Sequence, residues 1–318
     1  MRKRQFVGQS PTARAVCAET GNSDAIQGTI ELAEAFTKEC EVTYAARNLE
    51  LLASFKDAKI QKTAMRSAGE LVWTPHQDNE FLILVNEDHP LQRQNFSICH
   101  ELGHLLMPNY DPSVGRHVDW ETMRWNPEEE EEYLCDVAAA EILMPRRIFK
   151  PRLRACGLCI EALIGLSEEF EASLEATAVN VVRAGLGDVA VIVWTLGYRK
   201  NEVPSSENLS LFDDSTDPLF APVEKKYRVK FAYGHGSMRD FYFPTNQSTD
   251  NDSLIASSAN RLLTNANTRT SGLQILSYGQ YKSEFYTESY AYWSHKDGEL
   301  QPKVVSLVFL EDPAVDEW

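Results

Sequence analysis

The sequence predicts an α+β protein, and three observations carry that reading. Apolar residues recur at helical spacing through much of the chain up to about residue 186. From Gly187 onward the pattern alternates with a period of two, as strands do. Within the helical part, the stretch Ile98 to Pro108 holds His100-Glu101-x-x-His104 inside an amphipathic pattern, which marks where chemistry belongs. At 318 residues the chain is long for one domain and has ample apolar content for two or three cores.

Residues 1–24 mix Arg, Gln, Ser, Thr and Gly with little periodicity and read as a flexible tail. Ile26 to Glu39 reads as a helix, with Ile30, Leu32, Ala33 and Phe36 on or near one face. Glu70 to Trp73 and Phe81 to Val85 are rich in strand formers and flank Pro75 and the polar Gln77-Asp78-Asn79, as in a hairpin or two neighbouring strands. The second of these runs into the histidine helix, and a strand beside a metal cleft offers an edge to which an extended peptide can pair. Pro90 suits the first turn of that helix and Pro108 stops it. Leu91, Ile98, Leu102, Leu105 and Leu106 form its apolar stripe, with Arg93, Ser97, His100 and His104 on a neighbouring face.

Residues four apart on a helix project from one face, so His100 and His104 can meet a single metal ion. Glu101 points to the flank, within reach of a water at that ion, where a general base belongs. A hydrolytic zinc site needs a third protein ligand and an open position. Asn126-Pro127-Glu128-Glu129 is a strong start signal for a second helix, and most of the five glutamates suit the positive end of its dipole. Glu132, past the capping turn, is placed to be the third ligand. Gly103 costs its helix about 1 kcal/mol relative to Ala, so a packing reason is expected. Ala138, Ala139 and Ala140 on the second helix supply one, by letting the two helices approach closely. Asp136, one turn beyond Glu132, either accepts the outward N–H of a ligating histidine or is a solvated helix acid. In the segment between the helices, Tyr110, Arg116, His117 and Asp119 could polarise a carbonyl but read first as loop residues.

Beyond Pro145, helical patterns follow at Ile160 to Ile164, Leu166 to Phe170 and Ser173 to Val182, with Ser173 as an N-cap. Val189 to Trp194, Tyr227 to Tyr233, Leu273 to Tyr278, Glu284 to Trp293 and Val304 to Leu310 read as strands, and Leu254 to Leu263 as a helix. The last two strands join across His295-Lys-Asp-Gly298, so this half is an antiparallel sheet of about five strands with at least one helix. His235, between two glycines, reads as a turn residue rather than a ligand.

A net charge of −16 and a pI near 4.9 oppose a large nucleic-acid surface, so direct DNA binding is disfavoured. No apolar run approaches a membrane span, and Met-Arg-Lys-Arg is not followed by an apolar leader segment, so a cytoplasmic location is expected. Six scattered cysteines are too sparse for a disulfide scaffold. Cys156-Gly-Leu-Cys159 reads as ordinary packing thiols ahead of a redox or metal role.

Two blocks resemble the ImmA/IrrE family of zinc-dependent endopeptidases: Phe96-Ser-Ile-Cys-His-Glu-Leu-Gly-His-Leu-Leu, and Glu132-x-x-Cys-Asp136-x-x-Ala-Ala-x-Ile-Leu-Met-Pro145. The resemblance implies a zincin-like domain over 25–150, with His100, His104 and Glu132 as metal ligands and Glu101 as catalytic base. The ion would be Zn2+, with Mn2+ or Fe2+ also suited to a His2Glu set. Ala138 stands where the family often has Phe, and Asp136 where Asn is common; neither departure touches the ligand set.

The chain is most similar to the three-part, IrrE-like members. This implies a helix-turn-helix-like helical module over 151–186 and a GAF-like sensor domain over 187–318. It also implies a helix-turn-helix repressor as the cleaved substrate, with derepression of stress-response or mobile-element genes as the outcome. The third helix of the module offers mainly Glu175, Thr177 and Asn180, with Arg183 at its end, which fits a structural or docking role better than base reading. The competing reading is a non-proteolytic regulatory protein that acts through its sensor and helical domains, with a structural metal site; an intact Glu101 argues against it.

Overall fold

A computed structural model describes residues 8–42, 48–75, 80–111, 127–198, 225–296 and 299–313. The chain divides into two compact units, Met1–Ala155 with Ile164–Asn180, and Cys156–Leu163 with Val181–Trp318. The division runs through the helices expected as a separate module, rather than around them.

The first unit begins with α1 (Pro11–Thr20), which overturns the expectation of a flexible tail for these residues. Ser10 caps the helix by accepting from the Ala13 N–H, Pro11 opens the first turn, and Thr12, Ala13 and Val16 are buried. Three buried positions are too few to stand out as an apolar stripe, so the helix depends on what it packs against. α2 (Ala25–Glu39) follows, capped by Asp24, with Ile30, Ala33 and Phe36 buried as the spacing predicts. α3 (Leu49–Ser54) leads into a three-stranded sheet of β1 (Ala58–Thr63), β2 (Gly69–Trp73) and β3 (Phe81–Asn86). The order is β1-β3-β2, with β1 parallel and β2 antiparallel to β3. The strand that leads into the histidine helix is therefore central and both its edges are occupied; the free edges belong to β1 and β2. The residues 76–79 between β2 and β3 lie outside the described residues.

α4 (Leu91–Leu106) carries the histidines. Pro90 caps it, its carbonyl accepting from Arg93 and Gln94, while the Gln94 side chain donates to the carbonyls of Glu87 and His89. Ile98 and Leu102 are buried as expected, whereas Leu91 is exposed. α5 (Pro127–Leu143) packs along α4, with Leu134, Cys135, Ala138 and Ala139 buried. A Cβ on Gly103 would sit 3.0 Å from the Cys135 carbonyl oxygen, 3.2 Å from its Cα and 3.3 Å from the Ala138 Cβ. Glycine is therefore what lets the two backbones come this close. α6 (Arg146–Cys156) completes the set, and Glu141 closes the α5–α6 corner by accepting from the Arg146 N–H at 2.8 Å.

α7 (Ile160–Glu169) is one helix where two apolar runs were read, and α8 (Leu174–Ala184) starts at Ser173, whose hydroxyl accepts from the Ala176 N–H. At the start of α7 the Cys159 sulfur accepts from the Ala162 N–H and Glu288 accepts from the Ile160 N–H. Cys159 is thus a cap, and both thiols of the C-x-x-C are free.

The second unit is a five-stranded antiparallel sheet of β4 (Ala190–Gly197), β5 (Lys226–Gly234), β6 (Arg269–Tyr278), β7 (Tyr281–Lys296) and β8 (Glu299–Phe309), in the order β5-β4-β8-β7-β6. β7 and β8 pair from Lys296 and Glu299 inward, as the hairpin reading requires. α9 (Leu254–Leu263) buries Ile255 and Ala259 in the same apolar core as Trp194 and Phe285. Trp194 donates to the Ser306 hydroxyl, which satisfies the one polar atom of its ring. His235 caps a short 3-10 turn, with Nδ1 2.9 Å from the Gly187 carbonyl, a structural role as expected. Among the described residues no helix is long and apolar enough to cross a membrane.

Candidate metal centre

Because α4 places residues 100 and 104 one turn apart, their imidazoles lie on one face with ring centroids 5.0 Å apart. Gly103 brings α5 against that face, and Glu132 meets both rings. Its Oε2 is 3.1 Å from His100 Nε2 and its Oε1 is 3.5 Å from His104 Nε2. Ligand atoms of all three residues lie within 4.8 Å of one another. Donors bound tetrahedrally at a Zn–N or Zn–O distance near 2.0–2.1 Å are about 3.4 Å apart, so these separations suit one ion of that size. The donors also suit its chemistry, two imidazole nitrogens and one carboxylate oxygen on a side that remains partly open.

The outward nitrogens point away from Glu132. His100 Nδ1 is 2.9 Å from Asp136 Oδ1, as expected if Asp136 steadies that ring. His104 Nδ1 is 3.3 Å from the Cys135 sulfur and 3.5 Å from Glu131 Oε1. Burial disfavours a charged His100, but hydrogen bonds to Asp136 and Glu132 and the nearby Glu101 outweigh it and push the imidazole up to about 10. The carboxylates around this ring thus favour its protonated form, and an ion binding at Nε2 takes the place of a proton.

Glu101 is buried, and burial pushes its carboxyl above the usual carboxylate range; His100 and His104 pull it down, while Glu132 and Glu70 push it up. On the far side of this carboxylate stands β2. A Cβ on Gly69 would lie 2.9 Å from Glu101 Oε1 and 3.3 Å from the Ser97 Cβ, so the strand passes close enough to wall in the base. Tyr110 lies nearby, its ring centroid 6.5 Å from that of His104. Arg116, His117 and Asp119 lie outside the described residues, as does Asn126.

The glutamate run does more than complement a helix dipole. Glu130 is buried and accepts three backbone N–H groups, from Gly8 at 2.6 Å, Gln9 at 3.1 Å and Ser10 at 2.6 Å. Glu131 accepts from the Thr12 hydroxyl at 2.6 Å. Sequence reading missed these partners, since their only signal is that the run continues past the first turn.

Two histidines one turn apart and a carboxylate from the next helix, beside a small sheet, form a donor set suited to a single metal ion. The comparisons are more specific. Residues 56–181 match the family described as the IrrE N-terminal-like domain. The chain is 36% identical over 93 residues to the radiation response metalloprotease IrrE of Deinococcus radiodurans, a match that covers 29% of this chain and 28% of that one. It thus spans less than a third of the curated relative. Among solved structures, a Mycobacterium tuberculosis transcriptional regulator aligns at 9% identity and a TM-score of 0.49, over 89% of this chain and 76% of that one.

Proposed function

We propose that this protein is a metal-dependent endopeptidase in which His100, His104 and Glu132 hold the ion and Glu101 is the general base. The observation that carries the reading is the convergence of both Nε2 atoms on one carboxylate, with Glu101 buried beside them. A bound Zn2+ supplies Lewis-acid polarisation of a water and of the scissile carbonyl. Glu101 would accept a proton from the attacking water and return it to the amine nitrogen as the C–N bond breaks. Asp136 keeps the proton of His100 on Nδ1, which leaves Nε2 free to bind.

An extended peptide pairing with the free edge of β2 would lie along the site. For substrate, we favour a helix-turn-helix repressor, because a chain of net charge −16 is suited to engage a basic DNA-binding protein without competing for DNA. We read the antiparallel second unit, with α9 on its sheet, as a GAF-like sensor, and α6 to α8 as a helix-turn-helix-like module that docks the substrate. The test is incubation of zinc-loaded wild-type and Glu101→Gln protein with helix-turn-helix repressors of the same genome. Cleavage by wild type alone, at equal zinc content, supports the reading. Cleavage by both proteins removes Glu101 as base, and derepression without cleavage by either points to a regulatory binding protein.

A further inference from the structure

We infer that the segment Gly8 to Thr12 is a working part of the metal centre: through Thr12 it positions Glu131 against the outer nitrogen of His104, so that docking of this segment and binding of the metal strengthen each other. The inference rests on the metal reading of His100, His104 and Glu132. Residues 8–12 precede the segment that matches the peptidase family, 56–181.

The path is short and buried. Thr12 is 2% exposed. Its hydroxyl accepts from the Asn109 amide at 3.2 Å, just past the end of α4, which leaves its single proton for Glu131 Oε2 at 2.6 Å. The other oxygen of Glu131 lies at ion-pair distance from His104 Nδ1, 3.5 Å, while the Cys135 sulfur at 3.3 Å is the hydrogen-bond partner of that nitrogen. When Nε2 binds an ion, Nδ1 carries the ring proton, and a carboxylate is a far stronger acceptor for it than the Cys135 thiol on the other side. Thr12 thus fixes one oxygen of Glu131 so that the other stays aimed at the histidine.

The same segment is pinned one residue earlier on α5. Glu130 is 5% exposed and receives the Gly8, Gln9 and Ser10 N–H groups. A buried carboxylate beside a half-buried one is costly unless both are hydrogen-bonded, and residues 8–12 supply four of their donors. If the segment undocks, Glu131 loses one of the contacts that orient it and the ring of His104 is held less firmly. Linkage makes the effect reciprocal: whatever factor docking contributes to metal affinity, the metal returns to docking.

The test uses the full chain and zinc alone as the probe. Zinc affinity is measured by competition with a chromogenic chelator for wild type, Thr12→Val, Thr12→Ser and Glu131→Gln. Backbone hydrogen exchange at residues 8–10 is followed with and without zinc. Removal of a group that orients a metal-bound histidine lowers affinity about 10- to 100-fold, so Glu131→Gln should fall in that range. Thr12→Val, one step further out, should lose about tenfold, with Thr12→Ser restoring most of it. Zinc should slow exchange at residues 8–10 in wild type and not in Thr12→Val. Wild-type affinity in both Thr12→Val and Glu131→Gln, or exchange at residues 8–10 indifferent to zinc, overturns the proposal. Should Thr12→Val unfold in chelator, Glu131→Gln and the wild-type exchange experiment decide. Failure of the metal reading is separate: there, His104→Ala binds zinc as wild type does.

Discussion

Gly103→Ala tests how far the site depends on the approach of two backbones. The alanine methyl would stand 3.0 Å from the Cys135 carbonyl oxygen and 3.2 Å from its Cα, closer than ordinary van der Waals contact at about 3.5–4.0 Å. Both are main-chain atoms of α5, so no rotamer change relieves the contact; α5 must move away by a few tenths of an ångström. Against this, alanine gains about 1 kcal/mol of helix propensity over glycine. Overpacking a tight contact costs about 1–3 kcal/mol, so the metal-free protein should lie between unchanged and about 2 kcal/mol less stable. The metal affinity should suffer more. Cys135 lies between Glu131 and Glu132 on one side and Asp136 on the other, so displacing it shifts every carboxylate that faces the histidines. A loss of about tenfold in zinc affinity corresponds to 1.4 kcal/mol. Chelator competition and thermal melts, with and without zinc, measure both quantities. A variant more stable by about 1 kcal/mol with wild-type zinc affinity would refute the packing argument.

Asp136→Asn keeps the size of the side chain and removes its charge; zinc affinity should fall about 10- to 100-fold, and an unchanged value would make Asp136 a solvated acid. Gly69→Ala places a Cβ 2.9 Å from Glu101 Oε1 without touching a ligand. Turnover of a cleaved substrate should therefore fall at least about tenfold at full zinc content, and equal turnover would show that β2 does not wall in the base. Glu141 is buried, and burial lifts its carboxyl to about 7 despite Arg146. Between its ordinary value of 4.5 and 7 the unfolded chain releases this proton while the folded chain keeps it, so rising pH costs stability across that window. Relative to Glu141→Gln, wild type should lose on the order of 3 kcal/mol there, read from denaturant unfolding at each pH; parallel pH curves would show that Glu141 is not perturbed.

Helices and strands that bury a regular stripe were legible from sequence. α9 has the bounds that its spacing predicts, Leu254 to Leu263, and β3 differs from its expected span only by Asn86. β1, Ala58-Lys-Ile-Gln-Lys-Thr63, was invisible because an edge strand with two buried apolar residues among lysines has no clear alternation. α1 was missed for a related reason, since its stability comes from docking. The triad His100, His104 and Glu132 was legible because helix geometry alone fixes the pair and a cap signal fixes the phase of α5. Glu131 and Thr12 were not, because their contact joins residues 119 positions apart, and no local pattern encodes which part of the chain meets a glutamate run.

The helical phase of α5 explains why consecutive glutamates do different work. Residues four apart share a face, and the next residue is turned by about 100°. Glu131 and Cys135 therefore face the outer nitrogen of His104, while Glu132 and Asp136 face the two nitrogens of His100. The two faces differ in burial. Side-chain exposure is 9% at His104 and 12% at Glu131, but 17% at His100, 33% at Glu132 and 54% at Asp136. A hydrolytic centre needs its open position on the wet side, so on the proposed reading the water and the peptide approach across His100 and Glu132. On the side of His104, Glu131 is held by the Thr12 hydroxyl. Substitutions at Asp136 should then perturb substrate binding as well as metal affinity, and those at Thr12 the metal alone.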